Sequence, residues 1–557
     1  MSELAPALCR LRERLEAQGW ESEETHISLV LLGPAEVWKI KKPVALGFLD
    51  FSTLEQRRAA CDAEVELNRR LTSDVYLGVE PITSARDEPE TSARDEPETS
   101  ARDELRLGGE GEAVEWAVRM RRLPHDARAD SLLAAGVLGH REIAMTAHRL
   151  AEFHAAARAD EETARFGDSA MVERNVRENF RQVAPFLLEY LQPSQAAELS
   201  DWQLRFLSQH HSLLERRAAQ GRVRDGHGDL RLDHVYFEGE RRDRLSILDC
   251  IEFNDRFRYG DVCADLAFLT MDLAGHGRVD LAEALLARYA EASDDFDLYA
   301  LADFYESYRA FVRGKILGMM AESGGAHGVV ERSRRQARRH FRLAMACGER
   351  PLLPPRLIVV GGSIATGKST VATALGERLT SPVIAADPTR KAMLGIAPAT
   401  HQDDPAFTGA YSEETTEKVY RELRRRAEVV LGSGRSAILD ASFRSRDERL
   451  AARALADSME VPFLFVECRA SREVVEERLR QRRTGGDAAS SGGAPSVSDA
   501  RLEILDAFLA RWQEIDEDEE GEVVRVDTTE GGSECLAPLW ELLPRWPDPP
   551  SAGSEAR

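Results

Sequence analysis

At 557 residues the chain is too long for one core, and at roughly 150 residues per domain it divides into three or four lobes. Its 43% hydrophobic and 31% charged content is that of an ordinary soluble globular protein, and no apolar run approaches the ~18 residues a membrane helix needs. A formal charge of −23 repels a nucleic-acid backbone, which weighs against DNA binding and favours a cationic or neutral partner over a polyanion.

The chain opens on Leu4, Leu8, Leu11 and Leu15 at helical spacing, interrupted by charges throughout. That pattern predicts an amphipathic helix within residues 1–24 and excludes a signal peptide. HISLVLL, EVWKIKK and EAVEWAVRMRRL read as strands, and FSTLEQRRAACDAEVELNRRL between them as a helix, so residues 25–125 form a small mixed lobe. Inside it, TSARDEPETSARDEPETSARDE (83–104) repeats an eight-residue unit twice and then truncates it. Its Pro, Glu, Asp and Ser have nothing to bury, which predicts a disordered loop.

Residues 126–348 form a helical large lobe, mostly helical by periodicity over 130–220 and 272–348, and end on the basic helix VERSRRQARRHFR, read as a solvated face. The prolines of ERPLLPPR mark a stiff linker at 349–355. From 356 to 535, β and α segments alternate, which predicts a parallel sheet with helices on both faces. TGGDAASSGGAPSVS (484–498) is a flexible loop inside that domain, and 536–557 is a frayed tail. Seven scattered cysteines without a C-x-x-C pair suit a reducing cytoplasm and argue against a disulfide framework or structural zinc.

Two motifs carry chemistry. In the C-terminal domain Gly362, Gly367, Lys368 and Ser369 satisfy G-x-x-x-x-G-K-[ST], between a strand (LIVVGG) and a helix. The whole loop, Gly362, Ser363, Ile364, Ala365, Thr366, Gly367, Lys368, Ser369 and Thr370, is the expected ATP-binding element. Its backbone N–H groups turn toward phosphate oxygens, Lys368 reaches the β- and γ-phosphates, and the Ser369 hydroxyl ligates Mg²⁺. Asp440, ending the strand of AILDAS, is placed to hold the magnesium shell. Asp387, in VIAADPTRK, is placed to orient or deprotonate an acceptor hydroxyl. Arg478 and Arg482 share a helix face as candidate lid arginines that stabilise the transferring phosphoryl group. This segment, about residues 356–530, resembles the small P-loop kinases of the adenylate, gluconate and shikimate kinase type, often described as AAA-type kinase domains. The resemblance implies phosphoryl transfer from ATP to a small acceptor.

Upstream, HGDLRLDHVYF followed by LSILDC and GDVCADLAF resembles the aminoglycoside phosphotransferase and choline kinase family, relatives of the protein kinases. The resemblance implies that Asp229 accepts the acceptor's proton, that His227 braces the loop, and that Asp249 holds Mg²⁺. It also implies that Asp265, in the same motif as Asp261, buttresses the catalytic loop. Lys39 in VWKIKK would bind the α- and β-phosphates, with Lys41 as a fallback. Glu64, or else Glu66, would pair with it, and Met120 to Leu123 would form the adenine hinge. Gly33 is the single glycine of the expected nucleotide loop. One position departs from the pattern: the family's metal-binding Asn is His234, a poor ligand for Mg²⁺. Either one metal site is weakened, or water bridges the gap, or the lobe no longer catalyses.

The expected fold class is therefore α/β and α+β multidomain, with an N-terminal protein-kinase-like two-lobe fold and a C-terminal P-loop NTPase. The expected function is an ATP- and Mg²⁺-dependent phosphotransferase with two nucleotide-binding domains acting on small-molecule hydroxyl acceptors, without nucleic-acid or membrane partners. The alternative is a P-loop kinase or ATPase regulated by a degenerate N-terminal sensor. The acceptors and the oligomeric state are not legible in the sequence.

Overall fold

The computed structural model describes residues 6–46, 49–84, 105–324, 327–346, 351–397, 400, 407–483, 502–515 and 522–547. The repeat over 85–104, the start of the linker at 349–350, the Gly/Ser/Ala tract over 484–498 and residues 548–557 of the expected tail lie outside the described residues. The tail expected from 536 is not frayed at its start: helix Ala537–Leu542 buries Leu539, which with Leu536 and Leu543 joins the core around Ile358 and Val360 because these apolar residues have the sheet to pack on. By its contacts the chain falls into two compact units, one of Met1–Leu138, Glu152–Arg181 and Ser200–Asp272, the other of Gly139–Ala151, Gln182–Leu199 and Leu273–Arg557.

In the first unit the amphipathic helix spans Pro6–Ala17 and buries Leu8, Leu11 and Leu15 against Leu29, Leu31, Trp38 and Ile40. Glu21–Glu24, expected as part of the helical segment, instead form an edge strand paired with Ser28–Leu32. The sheet has six antiparallel strands in the order Glu21–Glu24, Ser28–Leu32, Glu36–Lys41, Ala113–Arg121, Tyr76–Ser84 and Leu105–Leu107. The hairpin between the second and third strands turns at Gly33, where a Cβ would lie 2.6 Å from the Trp20 indole. That glycine is required by packing, whatever else the turn does. Helix Leu54–Asn68 starts on a capping box, Thr53 with Gln56, and packs on the sheet with Cys61, Glu64 and Val65 inward. Two short antiparallel pairs follow, Val223–Asp225 with Tyr259–Asp261 and Val235–Glu238 with Arg244–Ile247. The loop 226–234 is suspended between them.

In the second unit five parallel strands run in the order Val383–Ala385, Ala437–Asp440, Leu357–Gly361, Phe463–Arg469 and Val523–Asp527. The phosphate-loop strand is therefore central. Leu357, Ile358, Val359 and Val360 are all fully buried, as a strand covered on both faces must be. Helices Val279–Ser293, Ala302–Glu322 and His327–Ala346 belong to this same unit. The basic helix turns Ser333, Ala337, Phe341 and Ala344 inward, with Phe341 edge-on to Phe311 at 5.3 Å. Arg435 joins helices to sheet: its guanidinium, 5% exposed, pairs with Glu283 at 2.6 Å and Asp303 at 2.8 Å.

Candidate functional site

Each unit brings one of the two motifs together. In the first, strand Glu36–Lys41 and helix Leu54–Asn68 aim opposite charges at each other. Lys39 Nζ donates to Glu64 Oε1 at 2.8 Å and to Asp249 Oδ1 at 2.5 Å. Burial pulls the Lys39 pKa down, but Asp249, Glu64 and Glu252 outweigh it and hold the ammonium well above its usual value. Lys41, two residues on and on the same face, is completely buried between Glu64 and Glu252. Glu66 is exposed and takes no part. Asp249 sits at φ 64, the left-handed region, and its main-chain N–H donates to the Tyr76 hydroxyl at 3.2 Å. Burial pushes its carboxyl up, and Lys39, with Lys41 behind it, more than offsets this, holding it well below the usual carboxylate range. At the expected hinge, Met120 is buried, Arg121 forks onto Glu238, and Arg122 donates to the Gly33 carbonyl at 2.9 Å.

The loop 226–234 is held from below. Asp265 accepts the main-chain N–H of His227 at 2.7 Å and that of Gly228 at 2.8 Å, and lies 3.1 Å from His154 Nε2. Asp261 instead forks onto the buried Arg217. His227 donates from Nε2 to the Leu248 carbonyl at 2.8 Å and accepts the Asp229 N–H on Nδ1 at 3.3 Å. Burial lowers its pKa, against the pull of Asp265. Asp229 is thus presented at the loop surface, and its Oδ2 accepts from Arg231 Nε at 3.1 Å. His234 lies beside it, its Nδ1 2.9 Å from the Asp229 carbonyl and its Nε2 2.7 Å from Arg231 Nη2.

In the second unit, the loop closes between the central strand and helix Lys368–Leu379. Gly362 has φ 142, and a Cβ there would lie 2.4 Å from the Cys468 carbonyl, so the turn admits no side chain. Ala365 is left-handed at φ 58. Thr366 Oγ1 and Lys368 Nζ both donate to the Ser363 carbonyl, at 2.8 and 2.7 Å. Ile364 is buried, and Thr370 lies at the exposed start of the helix. Asp440 is 7% exposed, and burial together with nearby Asp387 raises its pKa against the opposing pull of Lys368 and Ser369. Asp387 accepts from Arg390 Nη1 at 2.8 Å. Arg478 binds the loop itself, donating to the Ala365 carbonyl at 3.2 Å and the Thr528 carbonyl at 2.6 Å. Arg482 lies in the same helix, Arg472–Arg483.

Several participants are not evident from motif spacing. Thr528, just past the last strand, bridges the loop by donating to the Thr366 carbonyl at 2.8 Å. The polar residues of VDTT after that strand were the available signal. Glu252, three residues after Asp249, neutralises Lys41. An arginine–aromatic cluster adjoins Asp387: Arg390 over Tyr411 at 4.3 Å, Arg444 over Phe407 at 4.5 Å and Arg511 over Phe407 at 3.8 Å. Burial, with Arg511 and Arg390 nearby, holds the Arg444 guanidinium below its usual pKa.

The donor chemistry can be matched against Mg²⁺, which prefers oxygen. Ser369, Asp440 and Asp387 offer oxygens at one place and fit it. Asp249 fits it in the first unit, whereas His234 offers two nitrogens already engaged by neighbours. Among the described residues no three His, Cys, Asp or Glu side chains form a protein-only metal cage.

The phosphotransferase enzyme family model matches residues 106–304, and the AAA domain model matches residues 357–514. The chain is 32% identical over 494 residues to the uncharacterized protein Rv2004c of Mycobacterium tuberculosis, covering 88% of this chain and 90% of that one. Among solved structures, a sugar kinase from Janibacter sp. HTCC2649 is 21% identical with a TM-score of 0.26, covering 34% of this chain and 94% of its own. A choline/ethanolamine kinase family protein from Mesorhizobium loti is 10% identical with a TM-score of 0.33, covering 61% and 98%.

Proposed function

The chain belongs to the same family as the uncharacterized protein Rv2004c of Mycobacterium tuberculosis, and from the two kinase-type domains matched in this chain we propose that it transfers the γ-phosphate of ATP to hydroxyl groups of small molecules. The observation that carries this reading is strand register: Asp440 pairs with Val360 at the end of the phosphate-loop strand and with Ala385, two residues before Asp387, so both carboxylate residues lie at the strand ends from which the loop opens helix Lys368–Leu379. Loop amides and Lys368 would take the β- and γ-phosphates, Ser369 and Asp440 would hold Mg²⁺, and Asp387 would orient the acceptor hydroxyl. Bound there, the ion would neutralise charge on the phosphates. Arg478, already fixed to the loop, and Arg482 would steady the charge on the moving group.

In the N-terminal site, Lys39 would pair with the α- and β-phosphates once released from Asp249, which would hold the metal. Asp229 would orient the second acceptor. We assign the kinase-like lobes to 25–125 and 126–348 and the P-loop domain to 356–535, joined by the linker 349–355. Cytoplasmic residence is proposed on the cysteine pattern; the six described cysteines are all free, and among the described residues no helix is long and apolar enough to cross a membrane. The reading is tested by incubating the full chain with γ-labelled ATP and a pooled metabolite extract, beside Asp229→Asn and Lys368→Ala. Labelled products lost separately in the two variants support it. ATP turnover that is indifferent to every acceptor sinks it.

A second reading has its own observation: both nitrogens of His234 are engaged. On this reading the N-terminal site binds nucleotide as a sensor and sets the rate of the C-terminal site. It predicts that Asp229→Asn removes no product while Lys39→Ala changes the C-terminal rate.

A further inference from the structure

Arg231 lies inside the HGDLRLDH segment, yet no role in transfer falls to it from the motif. Its side chain is 20% exposed and every nitrogen of the fork is occupied. Nε donates to Asp229 Oδ2 at 3.1 Å, Nη1 pairs with Asp233 Oδ2 at 3.0 Å, and Nη2 lies 2.7 Å from His234 Nε2. The direction of this last bond is fixed by chemistry. A guanidinium is permanently charged and can only donate. His234 Nε2 must therefore present its lone pair to Arg231, and the ring proton must sit on Nδ1, where it is donated to the Asp229 carbonyl at 2.9 Å. Neither nitrogen has a lone pair left for a metal. His234 Nε2 is also 3.6 Å from Asp249 Oδ2, so the guanidinium stands at the corner between the proposed base and the proposed metal-holding carboxylate.

In protein kinases that corner takes a second Mg²⁺, held by the catalytic-loop Asn. Here the Asn position is His234, and a cation already faces it. We propose that the Arg231 guanidinium is the resident cation of this site, filling the place at His234 that a second metal ion would take, so that nucleotide binds with a single divalent ion on Asp249. The other features of the corner follow. Asp229, Asp233, Asp249 and Asp272 surround one guanidinium and together hold its charge in place. A dication brought to His234 would meet that fixed positive charge within a few ångströms, with no oxygen ligand from the histidine to compensate. His234 is a positioning residue: its imidazole holds Arg231 from one side as Asp229 and Asp233 do from the others.

The inference rests on the reading that the N-terminal site binds metal–nucleotide, and the experiment separates the two. Mn²⁺ is titrated by electron paramagnetic resonance into the full chain carrying Lys368→Ala and Ser369→Ala, which disables the phosphate loop, with saturating adenylyl-imidodiphosphate. One tightly bound Mn²⁺ per bound nucleotide is expected, falling to none on Asp249→Asn. Replacing Arg231 by alanine in that background should raise the count to two, because the carboxylates then attract a second ion. Arg231→Lys, which keeps the charge, should stay at one and guards against misfolding of the alanine variant. Two Mn²⁺ per nucleotide with Arg231 intact would overturn the inference while leaving the nucleotide reading standing. No nucleotide bound under any metal would overturn both.

Discussion

Lys39 and Asp249 are 210 residues apart in sequence and 2.5 Å apart in the fold, and Glu64 closes the triangle at 2.8 Å from the same ammonium. A strand, a helix and a loop after a distant hairpin converge on one nitrogen. Lys41 makes a second, fully buried version of the same arrangement with Glu64 and Glu252. The two lysines are therefore separable by experiment. Lys39 is 17% exposed on its side chain and can turn toward a ligand; Lys41 cannot.

Lys39→Ala is expected to weaken nucleotide binding at the N-terminal site by tenfold or more with a small effect on stability. Lys41→Ala leaves Glu252 buried without its cation and Glu64 with Lys39 alone, and breaking a buried pair costs about 3–5 kcal/mol. Urea unfolding and fluorescent-nucleotide titration of both variants check the contrast. Equal stability losses, or a larger affinity loss in the Lys41 variant, would exchange their roles.

His227 sets an acid limit on the first unit. Its Nε2–H is given to Leu248 and its Nδ1 lone pair to the Asp229 N–H, so a second proton has nowhere to go without breaking a bond. Burial accordingly holds its pKa below the ordinary 6.5. Above 6.5 both folded and unfolded chains carry the neutral ring and no pH dependence arises. Below 6.5 the unfolded chain takes up a proton that the folded chain refuses, so stability is lost as pH falls toward the folded pKa, by at most about 1.4 kcal/mol per pH unit. His227→Gln should flatten that slope between about pH 6.5 and 5 in chemical unfolding. An unchanged slope would show that the ring accepts the proton in the fold.

How much of this was written in contiguous sequence differs by site. GGSIATGKST specifies the loop, its strand and its helix together, because each backbone requirement falls on a neighbouring residue. Lys39 and Glu64 were reachable only through the resemblance to the kinase families, which implies a lysine on that strand and a carboxylate on that helix. Thr528 was not, since it meets the Thr366 carbonyl from 162 positions away, and only strand order brings it there. Arg231 was visible as a letter, but its meaning depends on which nitrogen of His234 holds the proton, which follows from three partners seen at once. Gly33 was read only as the glycine of the nucleotide loop, and its contact with Trp20 supplies a packing reason that the sequence did not show.

Gly362→Ala tests the shape of the phosphate loop. At φ 142, with the Cys468 carbonyl 2.4 Å from where the Cβ would sit, the methyl can be accepted only if main chain moves. Loss of nucleotide binding at the C-terminal site is expected, with destabilisation of about 1–3 kcal/mol for the strained conformation. Thr528→Val, which removes the bond to the Thr366 carbonyl without changing shape, should cost about 1 kcal/mol and weaken binding less. Isothermal titration with ADP ranks the two, and a Val variant as weak as the Ala variant would place loop control at Thr528 instead.

Arg435 predicts that the P-loop domain depends on helices that precede it in the chain. Its guanidinium is buried with Glu283 and Asp303, from helices Val279–Ser293 and Ala302–Glu322, and Arg426 pairs with Asp294 at the end of the first of these. Burial lowers the Arg435 pKa, but Glu283 and Asp303 outweigh it, so the cation is strongly held. Arg435→Met strands Glu283 in the interior and should lower the stability of this unit by about 3–5 kcal/mol. Adding Glu283→Gln should recover part of that loss, because the uncompensated charge is then gone. Thermal unfolding of the two single variants and the double variant forms a complete cycle. Strict additivity of the single losses would mean that the pair does not couple the helices to the sheet, and a P-loop fragment beginning at residue 356 should then be as stable alone as in the full chain.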